Sequence, residues 1–537
     1  MRFTLPKYFL AIVLAFQSTL LCAQPGTTVR PRLVVGIMID GLQQKHLDLM
    51  YNYFDSNGLR KIIGQGANCE SVHYDIISAG NASDVATVMT GTIPYYNGIA
   101  GDNYYNRVEK EIKSILEDEN ETGIGIKLTV SAHNLLSSTI TDELMLANPN
   151  NSKTYSIALN AEAAIMMGGH TAKSVAWIDD TQMKWVGTSY YMDGLTHWAD
   201  DMNTNGEFQA HANRLWNPLF GIATYNFHPV KEDRKSGFMY DPSSKKNQKS
   251  NVSILKNTPS ANALVADLAC KLITEQGLGT DKYPDMLMLQ FTVRTPNEKT
   301  TALQTAEKED MYLRLDKDIQ RILQKIDTSV GLDKTVVFMF GNQTGVHSPA
   351  ELGENKIPAG YFNANRSLAL LSTYLMAVYG QEKWIEGYYA KSIYLNKKKI
   401  EEKKIKFSDM QQNIAEFMLE FEGIQSAYTS TQLLSMGRNG NSVIERIQNS
   451  TTHKSTGDII LTLLPGWIEV DDKNNPIGES NAIVSYTPLY FYGWQIPTKK
   501  IVSSYSTTDI APTLSRILNI PMPNACIGKP IEEVLSK

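Results

Sequence analysis

The chain has 537 residues, 42% hydrophobic and 20% charged, enough for one large α/β domain with insertions or for two or three smaller domains. Its formal net charge of −5 argues against a general nucleic-acid binder, and no acidic tail stands out. Of four cysteines, Cys22 falls in the N-terminal segment. That leaves Cys69, Cys270 and Cys526, which permit at most one internal disulfide and have no metal-site spacing.

Residues 1–24 read as a signal peptide. Arg2 and Lys7 precede an apolar core from Tyr8 to Phe16, and Leu20-Leu21-Cys22-Ala23-Gln24 reads as a processing site. The apolar run is too short to span a bilayer, and Leu21 is bulkier than the small residue usual before a lipidated cysteine. Cleavage near Ala23 or Gln24 is expected, with no transmembrane segment afterwards and a periplasmic or extracellular destination.

Leu33-Val34-Val35-Gly36-Ile37-Met38-Ile39-Asp40-Gly41 is a nearly continuous apolar run ending in a carboxylate and a glycine. It fits a strand buried on both faces of a parallel sheet. Ligands of open α/β sheets bind at the carboxyl ends of strands, so Asp40 stands where a site is expected. His46 to Phe54 and Leu59 to Gln65 are expected to be helical. Asn81 to Thr90 reads as a helix stopped by Gly91, with Asn81 as its N-cap and Asp84 as a capping-box partner.

Thr154 to Leu159 and Ser174 to Ile178 read as strands around a helix from Ala161 to Met167. From about 180 to 256 the pattern breaks up into an inserted cap. Asp285 to Val293 is another buried-looking strand, and Tyr312 to Ile326 has the spacing of an amphipathic crossover helix. Thr335 to Phe340 is the next strand. A second insertion covers about 367 to 479, and its lysine run from Lys397 to Lys406 reads as a solvated helix start or turn. Leu489 to Tyr492 is the closing strand, and Thr508 to Thr513 opens a final helix.

These stretches in this order resemble the alkaline phosphatase superfamily, most closely its PafA-like periplasmic branch, from about Arg32 onward. The motifs that carry the resemblance are Val34 to Gly41, Thr90-Gly91-Thr92-Ile93-Pro94, Trp185 to Met192, Tyr312 to Ile319, Lys356-Ile357-Pro358-Ala359-Gly360 and Thr508 to Thr513. The resemblance implies a three-layer α/β/α sandwich around a mostly parallel sheet, residues 25–537 forming one domain with its two insertions. It also implies two zinc ions and a Thr or Ser nucleophile at a helix N-terminus.

Carried over residue by residue, the family pattern keeps only Asp40. The nucleophile position is Asn81, whose amide has no hydroxyl to attack phosphorus. The remaining metal positions are Thr295, Lys299, Asn342, Gln343 and Tyr486. The phosphate-binding positions are Asp102, Asn160 and Glu162. One carboxylate among Thr, Lys, Asn, Gln and Tyr makes no zinc site, so no cofactor is expected, and Lys299 is expected to pair with Asp40. Ser78 and Ser83 lack a base or metal and read as surface or capping residues. His347 is near the site without an identified partner, and the other histidines are scattered.

The expectation is therefore an exported pseudo-phosphatase that binds a protein, glycan or small-molecule ligand. The alternatives are a metal-dependent phosphomonoesterase or phosphodiesterase using displaced residues, and a structural subunit of an envelope complex.

Overall fold

The computed structural model describes residues 30–77, 80–227, 237–242, 251–296 (backbone alone for 251–253), 305–342, 347–437, 443–452, 454, 456–478 and 485–536. The main sheet has ten strands, β1 (Leu33–Asp40), β2 (Ala67–His73), β3 (Gly123–Ile124), β4 (Thr154–Ala158), β5 (Ser174–Ile178), β6 (Trp185–Thr188), β7 (Asp285–Thr292), β8 (Thr335–Gly341), β9 (Tyr486–Gly493) and β10 (Lys499–Ser506). They lie in the order β10-β2-β9-β8-β1-β7-β4-β5-β6-β3. The central run β8-β1-β7-β4-β5 is parallel throughout. Antiparallel ladders flank it, at β8–β9 and β9–β2 on one side and β5–β6 and β6–β3 on the other.

The continuous apolar run of β1 is explained by its two covered faces. Leu33, Val35, Ile37 and Ile39 join the core shared with α4 (Pro259–Glu275) and α5 (Ala306–Ser329). Val34 and Met38 point the other way, into the core shared with α2 (Asn81–Thr90), α3 (Ala161–Gly168) and α6 (Ile510–Leu518). All six of these β1 side chains are completely buried, each contributing roughly 1.5–3 kcal/mol. A helix layer on each face is what a parallel sheet requires, and the α/β/α sandwich follows. After α6 the chain forms one further short helix, Glu532–Leu535.

Register sets the site. Ile39 lies beside both Phe291 of β7 and Gly341 of β8, and Asp40 beside Thr292. The three strands therefore end level, and whatever follows each of them meets at one edge.

Within 180–256, β6 extends the main sheet, and Trp198, Met202, Phe208 and Trp216 pack into the core of the α4–α5 face. Within 367–479, strands Ile385–Tyr389, Ser392–Leu395, Ile424–Thr429 and Ile459–Leu463 form a separate four-stranded sheet. That sheet has its own core, including Leu371, Leu375, Met410 and Ile414. The lysine run begins on a short helix, Lys397–Glu402, where Lys397 pairs with Asp458 and Lys399 with Glu382 and Glu402, while Lys403 just beyond it pairs with Glu382. Cys69, Cys270 and Cys526 are free thiols. No helix among the described residues is long and apolar enough to cross a membrane.

Candidate functional site

Asp40 ends β1 and is held from both neighbouring strands. Thr292 and Asn262 shape the segment leaving β7. Asn262 exchanges two hydrogen bonds with the Thr292 backbone, and the Thr292 hydroxyl accepts from the Arg294 N–H at 3.0 Å. Val293 N–H donates to the Asp40 carbonyl at 2.9 Å. This places the Arg294 Nε 2.8 Å from Asp40 Oδ1. From β8, Asn342 Nδ2 donates to the same oxygen at 2.5 Å and to Asn81 Oδ1 at 2.9 Å. Asn342 Oδ1 accepts from Gly41 N–H at 3.0 Å. One network therefore ties Asp40, Arg294, Asn342 and Asn81 together.

The start of α2 is organised differently from the expected capping box. The N-cap residue is Gly80, in a conformation with φ 134, and Asn81 is the first helical residue. Gly80 has no side chain with which to cap, and the acceptor comes from a distant loop. Asp102 Oδ1 accepts from Ala82 N–H at 2.7 Å, and the Asn81 N–H also bonds this carboxylate. Both N–H groups lie in the helix's first turn, where no intrahelical partner exists. The carboxylate presses directly on the Gly80 backbone, for a Cβ there would lie 2.1 Å from the Asp102 carboxyl.

The electrostatics are unfavourable to further negative charge. Burial pushes the Asp102 carboxyl up to about 7, with Glu162 and then Asp40 adding to it against the pull of the two N–H groups. Glu162 is also raised, first by burial and then by Asp180, with its own backbone N–H and Lys256 opposing. Asp102 thus faces two other acids, and of those Asp40 has its own guanidinium.

The sequence profile of the type I phosphodiesterase / nucleotide pyrophosphatase family matches residues 34–491. The chain belongs to that family. Alkaline phosphatase PafA of Elizabethkingia meningoseptica is 27% identical over 548 residues, which covers 99% of this chain and 100% of that protein. A Myroides odoratus protein named calcium-transporting ATPase is 27% identical over 529 residues, 95% of each chain. The crystal structure of wild-type PafA matches with a TM-score of 0.85 at 25% identity, covering 94% of this chain and 99% of that one. This phosphodiesterase-family chain is accordingly PafA-like in both sequence and fold.

Of the positions carried over from the family, the structure brings Asp40, Asn81, Asn342 and Asp102 to the carboxyl edge of the sheet. Asn160 serves as N-cap of α3, accepting from Ala163 N–H at 3.0 Å, and Glu162 follows in that helix's first turn. Thr295 is buried just beyond Arg294. Tyr486 is 58% exposed and lies across from His73 on β2. Lys299 and Gln343 lie outside the described residues, and with them the expected Lys299–Asp40 pair. Arg294 is the residue that sequence reading overlooks. Its signal is a cation placed two residues beyond the strand that pairs with the one ending in Asp40. Ser83 is completely buried and donates to the Gly80 carbonyl at 3.0 Å, which is a local backbone role. His347 does have a partner, Glu351, at 3.0 Å.

Proposed function

We propose that this family member is an exported pseudo-phosphatase, catalytically inactive and acting by binding a partner or ligand. The observation that carries the reading is the engagement of Asp40 Oδ1 by both Arg294 and Asn342. A carboxylate deprived of its metal cation and left buried costs several kcal/mol, and here a guanidinium and an amide compensate it internally. The donors around it do not fit the two zinc ions of the PafA-like pattern. Zinc takes thiolate, imidazole or carboxylate ligands, whereas Asp40 is joined by an amide, and an arginine repels divalent cations. Among the described residues no group of three or more His, Cys, Asp or Glu converges as a metal site. Asn81 stands at the nucleophile position, and its side-chain oxygen accepts a hydrogen bond from Asn342.

The test is direct. The protein purified from cells grown with zinc should contain no stoichiometric metal by elemental analysis. Its melting temperature should not move on addition of EDTA, and it should not turn over an aryl phosphate. Two equivalents of zinc together with chelator-sensitive turnover would overturn the reading in favour of a metal-dependent hydrolase using displaced residues. For the partner, a pull-down from envelope extract with the mature chain should recover a protein or glycan that an unrelated exported protein of similar charge does not.

A further inference from the structure

We propose that Ser504, His73 and Asp75 form a second site that needs no metal, an acyl-transfer triad that takes a carboxylic ester. The inference goes beyond the pseudo-phosphatase reading and does not depend on it. That reading concerns phosphoryl chemistry beside Asp40, and this site lies elsewhere on the edge of the sheet.

β2 and β10 run parallel, with Ser506 in register with His73 and Ser504 with Ser71. Alternate residues of a strand share a face. His73 and Ser504 therefore stand together near the ends of their strands, at the carboxyl edge where ligands of such sheets bind. His73 Nε2 lies 3.0 Å from Asp75 Oδ1, and the Ser504 hydroxyl lies 3.4 Å from His73 Nδ1. Burial opposes ionisation of Asp75, but hydrogen bonds from His73 and Ser506 and the nearby Arg446 guanidinium hold its carboxyl below the usual range. An ionised Asp75 keeps the imidazole proton on Nε2, which leaves the Nδ1 lone pair facing the Ser504 hydroxyl. Hydroxyl, base and orienting carboxylate thus stand in the order that acyl transfer requires. Ser504 is exposed. Tyr486, 58% exposed, sets its ring edge-on to His73 with centroids 6.2 Å apart, and the apolar group of an ester can lie against it. β10 is the outermost strand of the sheet among the described residues, so the N–H groups on its outer side can face an oxyanion.

In the reaction, Ser504 Oγ gives its proton to His73 Nδ1 and bonds to the acyl carbon. The ester C–O bond breaks, and the leaving alkoxide takes the proton from Nδ1. Water then attacks the acyl-serine by the same route, releasing the carboxylic acid and restoring the serine.

The experiment treats the full mature chain with a fluorophosphonate probe, read by peptide mass spectrometry, and with p-nitrophenyl acetate as substrate. Wild type should carry the label on Ser504 and release nitrophenolate. Ser504→Ala, a small change at an exposed position, should lose both. His73→Gln should slow both by about a hundredfold or more. Asp75 is a positioning residue. Asp75→Asn should lower kcat with little change in KM, and Asp75→Glu should recover part of the loss. Tyr486→Ala should raise KM instead, and an unchanged KM would overturn the substrate class. Each variant is compared at a wild-type circular dichroism spectrum. No label on Ser504 in the folded wild type would overturn the proposal, as would labelling and turnover unchanged in His73→Gln. Failure of the pseudo-phosphatase reading is a separate result, visible as zinc content and aryl phosphate turnover in the wild type.

Discussion

Two side chains define the chemistry of the cleft, and each has a consequence that can be measured. Arg294 compensates Asp40, so Arg294→Gln removes the charge and leaves a partly buried carboxylate with only an amide partner. A loss of about 1–3 kcal/mol in denaturant unfolding is expected, with partial recovery in Arg294→Lys. No loss would mean that Asp40 is compensated elsewhere. Asp102 has the opposite character, because its folded-state carboxyl is raised to about 7 from an unfolded value near 4. Between those values the folded state binds more protons than the unfolded, so stability is greatest at the acidic end and falls as pH rises toward 7. Asp102→Asn should flatten that decline, so that the variant gains on wild type as the pH rises from 4 to 8. Equal pH profiles would count against the burial argument. At this scale the sequence was only half legible. Asp40 was readable because a charge ends an apolar run. Arg294 was not, because what makes it a partner is the parallel register of β7 against β1, a relation across more than two hundred intervening residues.

The helices and strands were more legible than their ends. Hydrophobic periodicity located Ser174–Ile178 to the residue, and it found β1 and β7 because a strand covered on both faces must be apolar throughout. The entry to α2 was misread for a physical reason. Asn at a helix start is a good cap by local chemistry, yet the cap position itself falls on Gly80, and the acceptor arrives from Asp102, about twenty residues on. Local propensity cannot see a carboxylate supplied by a loop. The prediction that belongs here is Gly80→Ala. The left-handed φ and the close Asp102 carboxyl make it destabilising by about 1–3 kcal/mol. The same substitution in an Asp102→Ala background should cost less, since the steric part is then relieved. A cost unchanged by that background would assign the whole effect to backbone strain.

At the level of the whole molecule, the resemblance in motif order indicated the three-layer sandwich, because the elements that cover a parallel sheet recur in a fixed order along the chain. The two inserted stretches were visible only as broken periodicity: the first packs its aromatic residues into the main core, and the second closes a small core of its own from short strands and helices. The second insertion leans on the main body through Arg107, which reaches the fully buried Asp458 at 2.9 Å, and through Tyr105 packed on Tyr394 with ring centroids 4.4 Å apart. Arg107→Ala should therefore raise the rate of limited proteolysis within 367–479 while leaving the main body resistant. Uniform sensitivity, or none, would show that this anchor is dispensable.

The same insertion is also stitched to the backbone just ahead of the cleft. Asn449 Nδ2 donates to the Asp75 carbonyl at 2.9 Å, and Ile77 N–H donates to Ser450 Oγ at 2.7 Å. The outer sheet and the lip of the pocket therefore share a seam. A body that pried the sheet outward would have to tear these stitches or drag the lip along with it.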